Sequence, residues 1–563
     1  MYQKLTPFIA AFLLSGMSLS QGNDPGVKKV DKLFEKYISP DKPGAAVVVI
    51  KDGQVVHKNT FGLADYENQV PISTSTVFDI ASVSKQFVGY AIAVLEKEGK
   101  LNLNDDVRNY IPEFSDFGHT ITIGHLLYHQ SGLRDWVSIM KLAGVGFNDV
   151  LTFEQILNMV YRQEALNFVP GTRHIYSNTG YNVLVEVVQR ITDQTFRAWT
   201  KERIFQPLGM NNTFFKDRFN ESIPNATKSY FKESEKNYKE VDALFLSTNG
   251  LTALGSSSLQ TTIDDFALWL LHLDSEAAKD LVAKMQIPGK LTTDEPANYA
   301  YGLEVDTYNG LKRIYHDGDW ASYSSYMAYF PDQHFSVAVL MNYVNWAEGF
   351  AMAAADAYLE DQFVEEEEEL SFYDEPKPEI LETLDLDLSR YAGIYYLEKY
   401  VVHLTITEKE GKLYVRATGE DKELMQPVST SRFWVDGYDT SVYFNLDESG
   451  NVESVSYHRS LCPRRDPIPS NDQLKLSDYE GHYYSRELNT AYQVILKEGQ
   501  LHLSHIRNGM IPLDQVWKDG FTNETSYAPL LDFRRNENGE ITSFAVSNNR
   551  SRNQVFNKVD WGN

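Results

Sequence analysis

The sequence predicts an α+β fold in which a large domain, with an antiparallel sheet flanked by helices and an inserted helical region, precedes two small antiparallel β domains. Three observations support this prediction: two hairpin patterns far apart in the chain, helical segments between them, and a repeated block that follows an acidic segment. At 563 residues, of which 42% are hydrophobic, the chain is long enough for several domains and apolar enough to fold.

Two hairpin patterns predict that both ends of the large domain contribute to one sheet. In the first, residues 45–60 contain a tight turn at Asp52-Gly53, which suits two β-rich runs. In the second, residues 323–341 turn at Pro331. The segments predicted to be helical are 84–98, 153–162, 181–192 and 263–272. The simplest arrangement places this helical region between two hairpins of one antiparallel sheet.

An acidic segment predicts a boundary after the large domain. Five consecutive glutamates at 365–369 repel one another, and Pro376 and Pro378 cannot continue a helix. We therefore place the large domain at 25–361 and a linker at 362–380.

A repeat beyond the linker predicts two copies of one β domain. Residues 388–396 match residues 476–484. In the same register, 410–413 matches 498–501. Short alternating strands broken by glycine turns favour small barrels or sandwiches. The two copies are predicted at 381–468 and 469–560.

The N-terminus resembles a secretory signal peptide at residues 1–20. Lys4 provides the positive charge, residues 5–14 the apolar stretch, and residues 18–20 a small-x-small cleavage site. A membrane anchor is the alternative, but the apolar stretch is shorter than the about 20 residues that span a bilayer. We expect a mature chain without a membrane span, in the periplasm or outside the cell.

The charge and the cysteine content exclude several classes of partner and cross-link. The formal net charge of -26 at pH 7 comes without a basic stripe, so nucleic acid is not an expected partner. Cys462 is the only cysteine, so no internal disulfide can form. The oligomeric state stays open.

Ser82 and Lys85 are the candidate nucleophile and its neighbouring base. They have the spacing Ser-x-x-Lys, and the apolar positions that follow predict a helix beginning near Ser82. Residues three apart on a helix share a face, so the Lys85 amine can reach the Ser82 hydroxyl. Ser82 could equally be an ordinary helix cap, so this pair needs further support.

Tyr176 and Asn178 are the second candidate pair. Because they are two residues apart in a predicted extended segment, their side chains point the same way. A phenol is a weak base, but a nearby ammonium such as that of Lys85 is expected to lower its pKa. The alternative is a tyrosine packed by its ring beside an asparagine that caps a helix.

His316 and Gly318 form the third candidate pair, just before the second hairpin. We expect both to lie on one face of an edge strand, with Gly318 letting a substrate backbone approach closely. His316 could hold a proton near the leaving group, or be a hydrogen-bonded histidine without a chemical role.

In order and spacing, the three pairs resemble the three motifs of the serine β-lactamase and penicillin-binding-protein superfamily: Ser82-x-x-Lys85, Tyr176-x-Asn178 and His316-x-Gly318. The version is that of class C β-lactamases, D-aminopeptidases and related esterases. Flanking segments also resemble that family, at 80–87, 121–133 and 261–265. The likeness covers roughly residues 30–360.

This resemblance implies a cofactor-free and metal-free acyl hydrolase, with a β-lactamase-like domain followed by two small antiparallel β-barrels. Ser82 would attack a carbonyl, and Lys85 and Tyr176 would share the general-base work. Asn178 would orient the substrate amide. The backbone N–H groups of Ser82 and Asp319 would form the oxyanion hole, and water would then release the acyl group.

One departure from the lactamase pattern bears on the substrate. β-Lactamases usually have Lys-Thr-Gly where this chain has His316-Asp317-Gly318, so the permanent cation that holds an antibiotic carboxylate is missing. Asp317 and Asp319 add negative charge. We therefore expect a small-molecule or peptide substrate: an ester, or a peptide with a positive N-terminus as in D-aminopeptidases. The alternatives are a penicillin-binding D,D-carboxypeptidase or class C-like β-lactamase, and a non-catalytic cell-wall-binding or sensor module.

Other conspicuous residues are interpreted without a chemical role. His125 and His129 lack the glutamate of zinc-protease motifs, so we expect no metal there. Trp434 and Trp517 are expected to pack in cores rather than to bind sugars, and Cys462 to be a bystander. By analogy, the β-barrels are expected to restrict the active-site entrance.

Overall fold

A computed structural model of the chain confirms the predicted α+β fold with two barrels. The structure describes residues 25–232, 244–343, 347–364, 377–381, 387–397, 401–417, 422–438, 440–447, 449–457, 460–468 and 475–561. The predicted signal peptide at 1–20 and the glutamate run of the predicted linker lie outside the described residues.

The large domain combines helices with an antiparallel sheet. Its helices are α1 (Pro25–Tyr37), α2 (Lys85–Lys97), α3 (Ile123–Leu127), α4 (Trp136–Met140), α5 (Phe153–Tyr161), α6 (Asn178–Thr192), α7 (Phe196–Thr200), α8 (Gln206–Leu208), α9 (Ile263–Leu273), α10 (Lys279–Met285) and α11 (Ala347–Leu359). The four predicted helices are found as α2, α5, α6 and α9, with small shifts at their ends. No helix within the described residues is both long and apolar enough to cross a bilayer.

The central sheet is built from both ends of the domain, as the hairpin patterns predict. The strands of the large domain are β1 (Ala45–Lys51), β2 (Gln54–Phe61), β3 (Leu63–Asp65), β4 (Val70–Pro71), β5 (Phe78–Asp79), β6 (Phe214–Phe215), β7 (Tyr230–Lys232), β8 (Leu244–Leu246), β9 (Leu259–Thr261), β10 (Tyr299–Ala300), β11 (Leu303–Tyr308), β12 (Leu311–Trp320), β13 (Tyr323–Phe330) and β14 (Phe335–Met341). Within the described residues, the central sheet contains seven strands in the order β10-β11-β12-β13-β14-β1-β2. Strand β1 pairs with β14, with Val48 opposite Ala338.

Two apolar layers cover the sheet. One face packs under α1 and α11, where the rings of Phe34 and Phe350 lie 4.7 Å apart. The other face packs against the remaining helical region, where Phe87 of α2 and Trp269 of α9 lie 4.4 Å apart. Helix α2 is buried along most of its length. Close packing therefore fixes its N-terminal end, where Lys85 lies.

Two copies of one β-barrel follow, as the repeat predicts. Barrel 1 consists of β15 (Gly393–Leu397), β16 (Val402–Lys409), β17 (Lys412–Ala417), β18 (Glu423–Pro427), β19 (Arg432–Val435), β20 (Thr440–Leu446), β21 (Val452–Tyr457) and β22 (Ser460–Arg465). Barrel 2 consists of β23 (Gly481–Ser485), β24 (Thr490–Lys497), β25 (Gln500–His505), β26 (Gly509–Trp517), β27 (Gly520–Thr522), β28 (Leu530–Arg535), β29 (Ile541–Asn548) and β30 (Ser551–Val559). In the part of the chain that the structure describes, each barrel is closed by eight strands.

An equivalent hydrogen bond occurs inside each of the two barrels, which supports the interpretation of the barrels as a repeat. The Tyr395 hydroxyl donates to the Tyr391 carbonyl in barrel 1, at 2.8 Å. The Tyr483 hydroxyl donates to the Tyr479 carbonyl in barrel 2, also at 2.8 Å. Trp434, Trp517 and Cys462 are buried, in agreement with the packing interpretation.

Barrel 2 docks onto the large domain through buried contacts. Arg134 forms an ion pair with Glu487 of the barrel at 2.7 Å, and the two side chains are 1% and 5% exposed. The Tyr492 hydroxyl of the barrel donates to the Leu142 carbonyl at 3.0 Å, and Leu142 packs into the apolar core of barrel 2. The second barrel is thus joined to the large domain by both charge and apolar packing.

Candidate active site

Ser82 lies in a strained turn at the N-terminal end of α2. The 3₁₀ turn Ala81–Ser84 runs directly into α2, as the motif spacing predicts. Ala81 has a φ of 46°, a left-handed conformation that costs free energy for a residue with a side chain. The Asp79 carboxylate holds the turn by accepting the Ala81 N–H at 2.9 Å. Ser82 itself remains partly exposed and can meet a substrate.

Lys85 reaches Ser82 from the first turn of α2. The Lys85 Nζ lies 2.9 Å from the Ser82 hydroxyl oxygen and 2.8 Å from the Asn178 amide oxygen. It also lies 2.7 Å from the Ser256 carbonyl oxygen, so three acceptors match the three N–H donors of an ammonium. Burial nevertheless lowers the pKa of Lys85 well below its usual value. The free amine, which can accept the Ser82 proton, is therefore reached at a lower pH than for an ordinary lysine.

Tyr176 lies beside this pair, with the Lys85 Nζ 4.9 Å from its ring centroid. Its hydroxyl oxygen is buried and forms no well-aligned hydrogen bond with the described residues. Burial raises the pKa of Tyr176, while the nearby Ser82 hydroxyl opposes this shift. The expected lowering of the phenol pKa by Lys85 is therefore wrong, because the free energy needed to bury a phenolate exceeds the stabilisation that nearby positive charge provides. Tyr176 rests as the neutral phenol.

Asn178 connects Lys85 to a buried carboxylate. Ser177 is extended, with a φ of -138°, and Asn178 is the first residue of α6. The Asn178 N–H donates to the Asp135 carboxylate at 2.8 Å. The Asp135 side chain has no exposed surface, and burial raises its pKa. Sequence reasoning misses Asp135, although this residue comes just after the family-like segment 121–133. The contact between Asp135 and Asn178 depends on how the fold places the first residue of α6 beside Asp135, which the sequence does not show.

His316 lies behind the active site rather than on its surface. Among the described strands, β12 pairs with β11 as far as Tyr315 and with β13 as far as Trp320, so the predicted edge begins at His316. The buried His316 Nδ1 donates to the Asp317 carbonyl at 2.5 Å, and Nε2 accepts from the Tyr299 hydroxyl at 2.9 Å. Burial lowers the pKa of His316 to about 4. Both ring nitrogens are thus used in buried hydrogen bonds, which favours the alternative of a hydrogen-bonded histidine over one that supplies a proton near the leaving group.

Gly318 lets β12 approach the nucleophile. A Cβ at Gly318 would lie 2.5 Å from the Ile80 carbonyl oxygen and 2.9 Å from the Ser82 nitrogen, which is closer than packed atoms allow. The expectation that this glycine admits a substrate backbone is corrected: the close neighbour is the turn that carries Ser82. Ser82 and Asp319 both border the same cavity, and their N–H groups remain the predicted oxyanion hole.

A cavity of about 730 Å³ opens at Ser82, and we call it the active-site cavity. Its walls carry both charges and aromatic rings. The charged side chains are Glu304, Asp317, Asp319 and, from barrel 2, Arg550; the aromatic rings include Trp136, Tyr299 and Trp320. Burial raises the pKa of both Glu304 and Asp319. A cationic group in the cavity would help these carboxyls to ionise.

His129 positions Tyr176, a role that the sequence does not predict. Its Nδ1 accepts the Ser177 N–H at 3.1 Å, and its ring lies 4.3 Å from those of Tyr176 and Tyr299. His125 instead caps the start of α3, so the two histidines act separately. Among the described residues, no group of three His, Cys, Asp or Glu side chains is placed to hold a metal ion.

Known proteins resemble this chain in sequence and in fold. Residues 30–361 match the Beta-lactamase family, and residues 378–467 match a domain of unknown function, DUF3471. Penicillin-binding protein 4* of Bacillus subtilis is 26% identical over 76% of this chain and 96% of that protein. A D-aminopeptidase of Cereibacter sphaeroides is 25% identical over 81% of this chain and 82% of that protein. The octameric penicillin-binding protein homologue from Pyrococcus abyssi, at 22% identity, has a TM-score of 0.53 over 85% of this chain and 98% of that chain, a likeness of fold.

The fold and the comparisons define a serine hydrolase of the penicillin-binding-protein and D-aminopeptidase type. The chain belongs to the beta-lactamase family, because more than half of its length matches that family. The resemblance inferred from the three motifs is thereby confirmed.

Proposed function

We propose that this hydrolase removes an N-terminal residue from a short peptide, or cleaves a small ester, through an acyl-enzyme on Ser82. The observation that supports this most is the position of Glu304, Asp317 and Asp319 on the cavity that contains Ser82. Carboxylates there attract a substrate ammonium. A D-aminopeptidase among the relatives supports the peptide option, and the predicted signal peptide supports activity outside the cytoplasm.

Acylation begins at Lys85 in this proposal. As the free amine, Lys85 accepts the Ser82 proton while the Ser82 oxygen attacks the substrate carbonyl carbon. Negative charge develops on the carbonyl oxygen, and the N–H groups of Ser82 and Asp319 stabilise it. Tyr176 donates its phenol proton to the leaving amine or alkoxide as the bond to carbon breaks, and regains a proton from the Lys85 ammonium.

Deacylation uses the same groups with water in place of the leaving group. Lys85 accepts a proton from the attacking water, and Ser82 leaves as its proton is returned. Asn178, whose amide oxygen lies on the Lys85 Nζ, orients the substrate amide. Neutral His316 contributes indirectly, because its hydrogen bond fixes the Tyr299 ring that borders the cavity.

The test compares the wild-type protein with Ser82→Ala and a matched control, Ser84→Ala. Ser84 lies in the same turn, but it is buried and its hydroxyl accepts the Leu259 N–H at 3.3 Å. The substrates are a short-chain p-nitrophenyl ester, D- and L-alanine p-nitroanilide, and a penicillin. We expect the wild type and Ser84→Ala to hydrolyse the ester and the D-alanine anilide, and Ser82→Ala to hydrolyse neither.

Other outcomes change the proposal in different ways. Turnover that survives in Ser82→Ala contradicts Ser82 as the nucleophile. Penicillin hydrolysis without anilide hydrolysis favours the β-lactamase alternative. Inactivity of the folded wild type on every substrate contradicts the esterase and aminopeptidase assignment and favours a non-catalytic binding module.

A further inference from the structure

Arg550 brings a positive charge from barrel 2 to the active-site cavity. It lies in the turn between β29 and β30, and its side chain is 45% exposed. The Arg550 guanidinium carbon is 4.8 Å from the Tyr176 ring centroid. The Arg550 carbonyl accepts the N–H of Asp135 at 3.3 Å and an amide N–H of Asn167 at 3.0 Å. The backbone of the turn is therefore fixed independently of the arginine side chain.

The Arg550 guanidinium keeps hydrogen-bond donors for a ligand. Within the described part of the chain, its ion-pair contact is with Asp135, at 4.0 Å from Nη1 to Oδ2, which is beyond hydrogen-bond distance. The Asp135 carboxylate already accepts the Asn178 N–H and the Ser138 hydroxyl. A planar fork of N–H donors beside an aromatic ring suits a carboxylate, which it can bind with two parallel hydrogen bonds.

A second cavity of about 560 Å³ lies between the large domain and barrel 2. It shares Val137 and Arg550 with the active-site cavity, so the two cavities meet at this arginine. Lys141 adds a second cation to the walls of the second cavity. Glu304, Asp317 and Asp319 border the first cavity. Charge therefore changes sign between the acidic part of the active-site cavity and the junction with barrel 2.

We propose that Arg550 binds the free C-terminal carboxylate of a short peptide substrate whose N-terminal ammonium faces Glu304, Asp317 and Asp319. This carboxylate belongs to the leaving group, the amine product that is expelled as Ser82 becomes acylated. Barrel 2 then acts as a substrate-selecting element, since Arg550 adds a positive charge to an active-site cavity whose other charged wall residues, among those described, are Glu304, Asp317 and Asp319. This assignment of the leaving part depends on the proposed aminopeptidase function, whereas the binding preference can be measured without catalysis.

The experiment measures binding to inactive full-length protein by calorimetry. In the Ser82→Ala background, the probes are D-alanyl-glycine and D-alanyl-glycinamide, which differ only in the C-terminal carboxylate. We expect the free acid to bind on the order of tenfold more tightly than the amide. Adding Arg550→Ala should abolish this preference, and Arg550→Lys should restore part of it.

Arg486→Ala is the matched control, because Arg486 is another exposed arginine of barrel 2 with a long contact to the large domain. Its Nε lies 3.9 Å from Glu164, and its side chain is 86% exposed. We expect Arg486→Ala to keep the tenfold preference for the free acid. Thermal unfolding of all variants checks that each one is folded.

The possible results separate the two proposals. Equal affinity of the Ser82→Ala protein for acid and amide, or an equal loss of both probes in Arg550→Ala, contradicts carboxylate binding by Arg550. If the preference is found but wild-type protein releases no alanine from D-alanyl-glycine, the binding role stands and the aminopeptidase function fails. If turnover occurs without any preference, the function stands and the role of Arg550 fails.

Discussion

The floor of the active site and its wall from barrel 2 are built in different ways. On the floor, Lys85, Tyr176 and Asn178 come from the large domain and are held close together near buried helix ends. On the wall, Arg550 comes from a hairpin turn of another domain, and its side chain remains half-exposed. A buried floor fixes reacting groups at short distances. An exposed turn, in contrast, tolerates substitution of its side chains without displacing those reacting groups. The floor is therefore suited to chemistry and the wall to substrate selection.

Lys85→Ala should have the largest effect, because it removes the base from the floor and leaves the wall unchanged. A positioned general base contributes up to about 10⁴-fold, so kcat/KM for a p-nitrophenyl ester should fall by about that factor. Lys97→Ala, at the exposed far end of α2, is the matched control and should keep the wild-type value. An equal loss in both variants would assign the effect to the helix rather than to the amine.

Glu487→Ala should weaken the attachment of barrel 2, which carries the wall, to the large domain. It leaves Arg134 buried without its partner, and breaking a buried pair costs about 3–5 kcal/mol. We expect a lower urea midpoint of unfolding and a higher KM for short peptides. Lys377→Ala, which breaks an exposed pair with Asp436, should shift the midpoint little. A wild-type midpoint for Glu487→Ala would show that the buried pair does not hold barrel 2 in place.

Gly318→Ala tests how tightly the floor is held against the sheet. The new Cβ would press on the Ser82 turn, where it meets the Ser82 nitrogen at 2.9 Å. A displacement of about 1 Å at a reacting group can cost about 100-fold, so we expect kcat to fall by roughly that factor while circular dichroism stays native. Gly146→Ala, whose Cβ would meet its nearest neighbour at 3.4 Å, is the control. Unchanged kcat in Gly318→Ala would mean that the Ser82 turn can shift without loss of catalysis.

The pH dependence of stability should give the smallest effect. Burial lowers the pKa of His316 to about 4, against about 6.5 in an unfolded chain. Between these values only the unfolded chain binds the proton, so the free energy of unfolding falls as the pH drops from 6.5 to 4. His316→Gln should reduce that fall, by at most about 1.4 kcal/mol per pH unit. Urea unfolding at several pH values measures it.

His334→Gln is the control for this pH effect. Hydrogen bonding to Asp274 raises the pKa of the exposed His334, so its stabilising contribution is present at low pH and is lost as the pH rises. Removing it should not protect the protein against acid. If His316→Gln leaves the pH dependence of the unfolding free energy unchanged, the buried neutral ring is not a source of acid instability.

Most of the floor is predictable from the sequence because its pairs are local. Helix geometry alone places Lys85 on the same side as Ser82, and β-rich runs around Asp52-Gly53 determine the first hairpin. The repeat also predicts two similar barrels, since Tyr391 and Tyr479 occupy matching positions. The first two features depend on spacings of a few residues and the third on a repeated pattern, and a sequence displays both directly.

The wall and the protonation states are not predictable in this way. Arg134 and Glu487 are hundreds of residues apart in the chain, and so are Tyr176 and Arg550, so no local pattern joins them. Burial also decides the pKa of Tyr176. The sequence shows only that Tyr176 belongs to the motif that follows the motif of Lys85, and it does not show how deeply the phenol is buried. The boundaries of the domains and the proposed roles of the site residues stay predictions.

The acyl-enzyme mechanism requires that Ser82 carries the acyl group. Its most direct test is mass spectrometry of protein stopped by acid during turnover of p-nitrophenyl acetate, followed by peptide mapping. We expect one added acetyl group on Ser82 in the wild-type protein and none in Ser82→Ala. An acetyl group that maps to another residue, or that forms equally in Ser82→Ala, would contradict the acyl-enzyme mechanism.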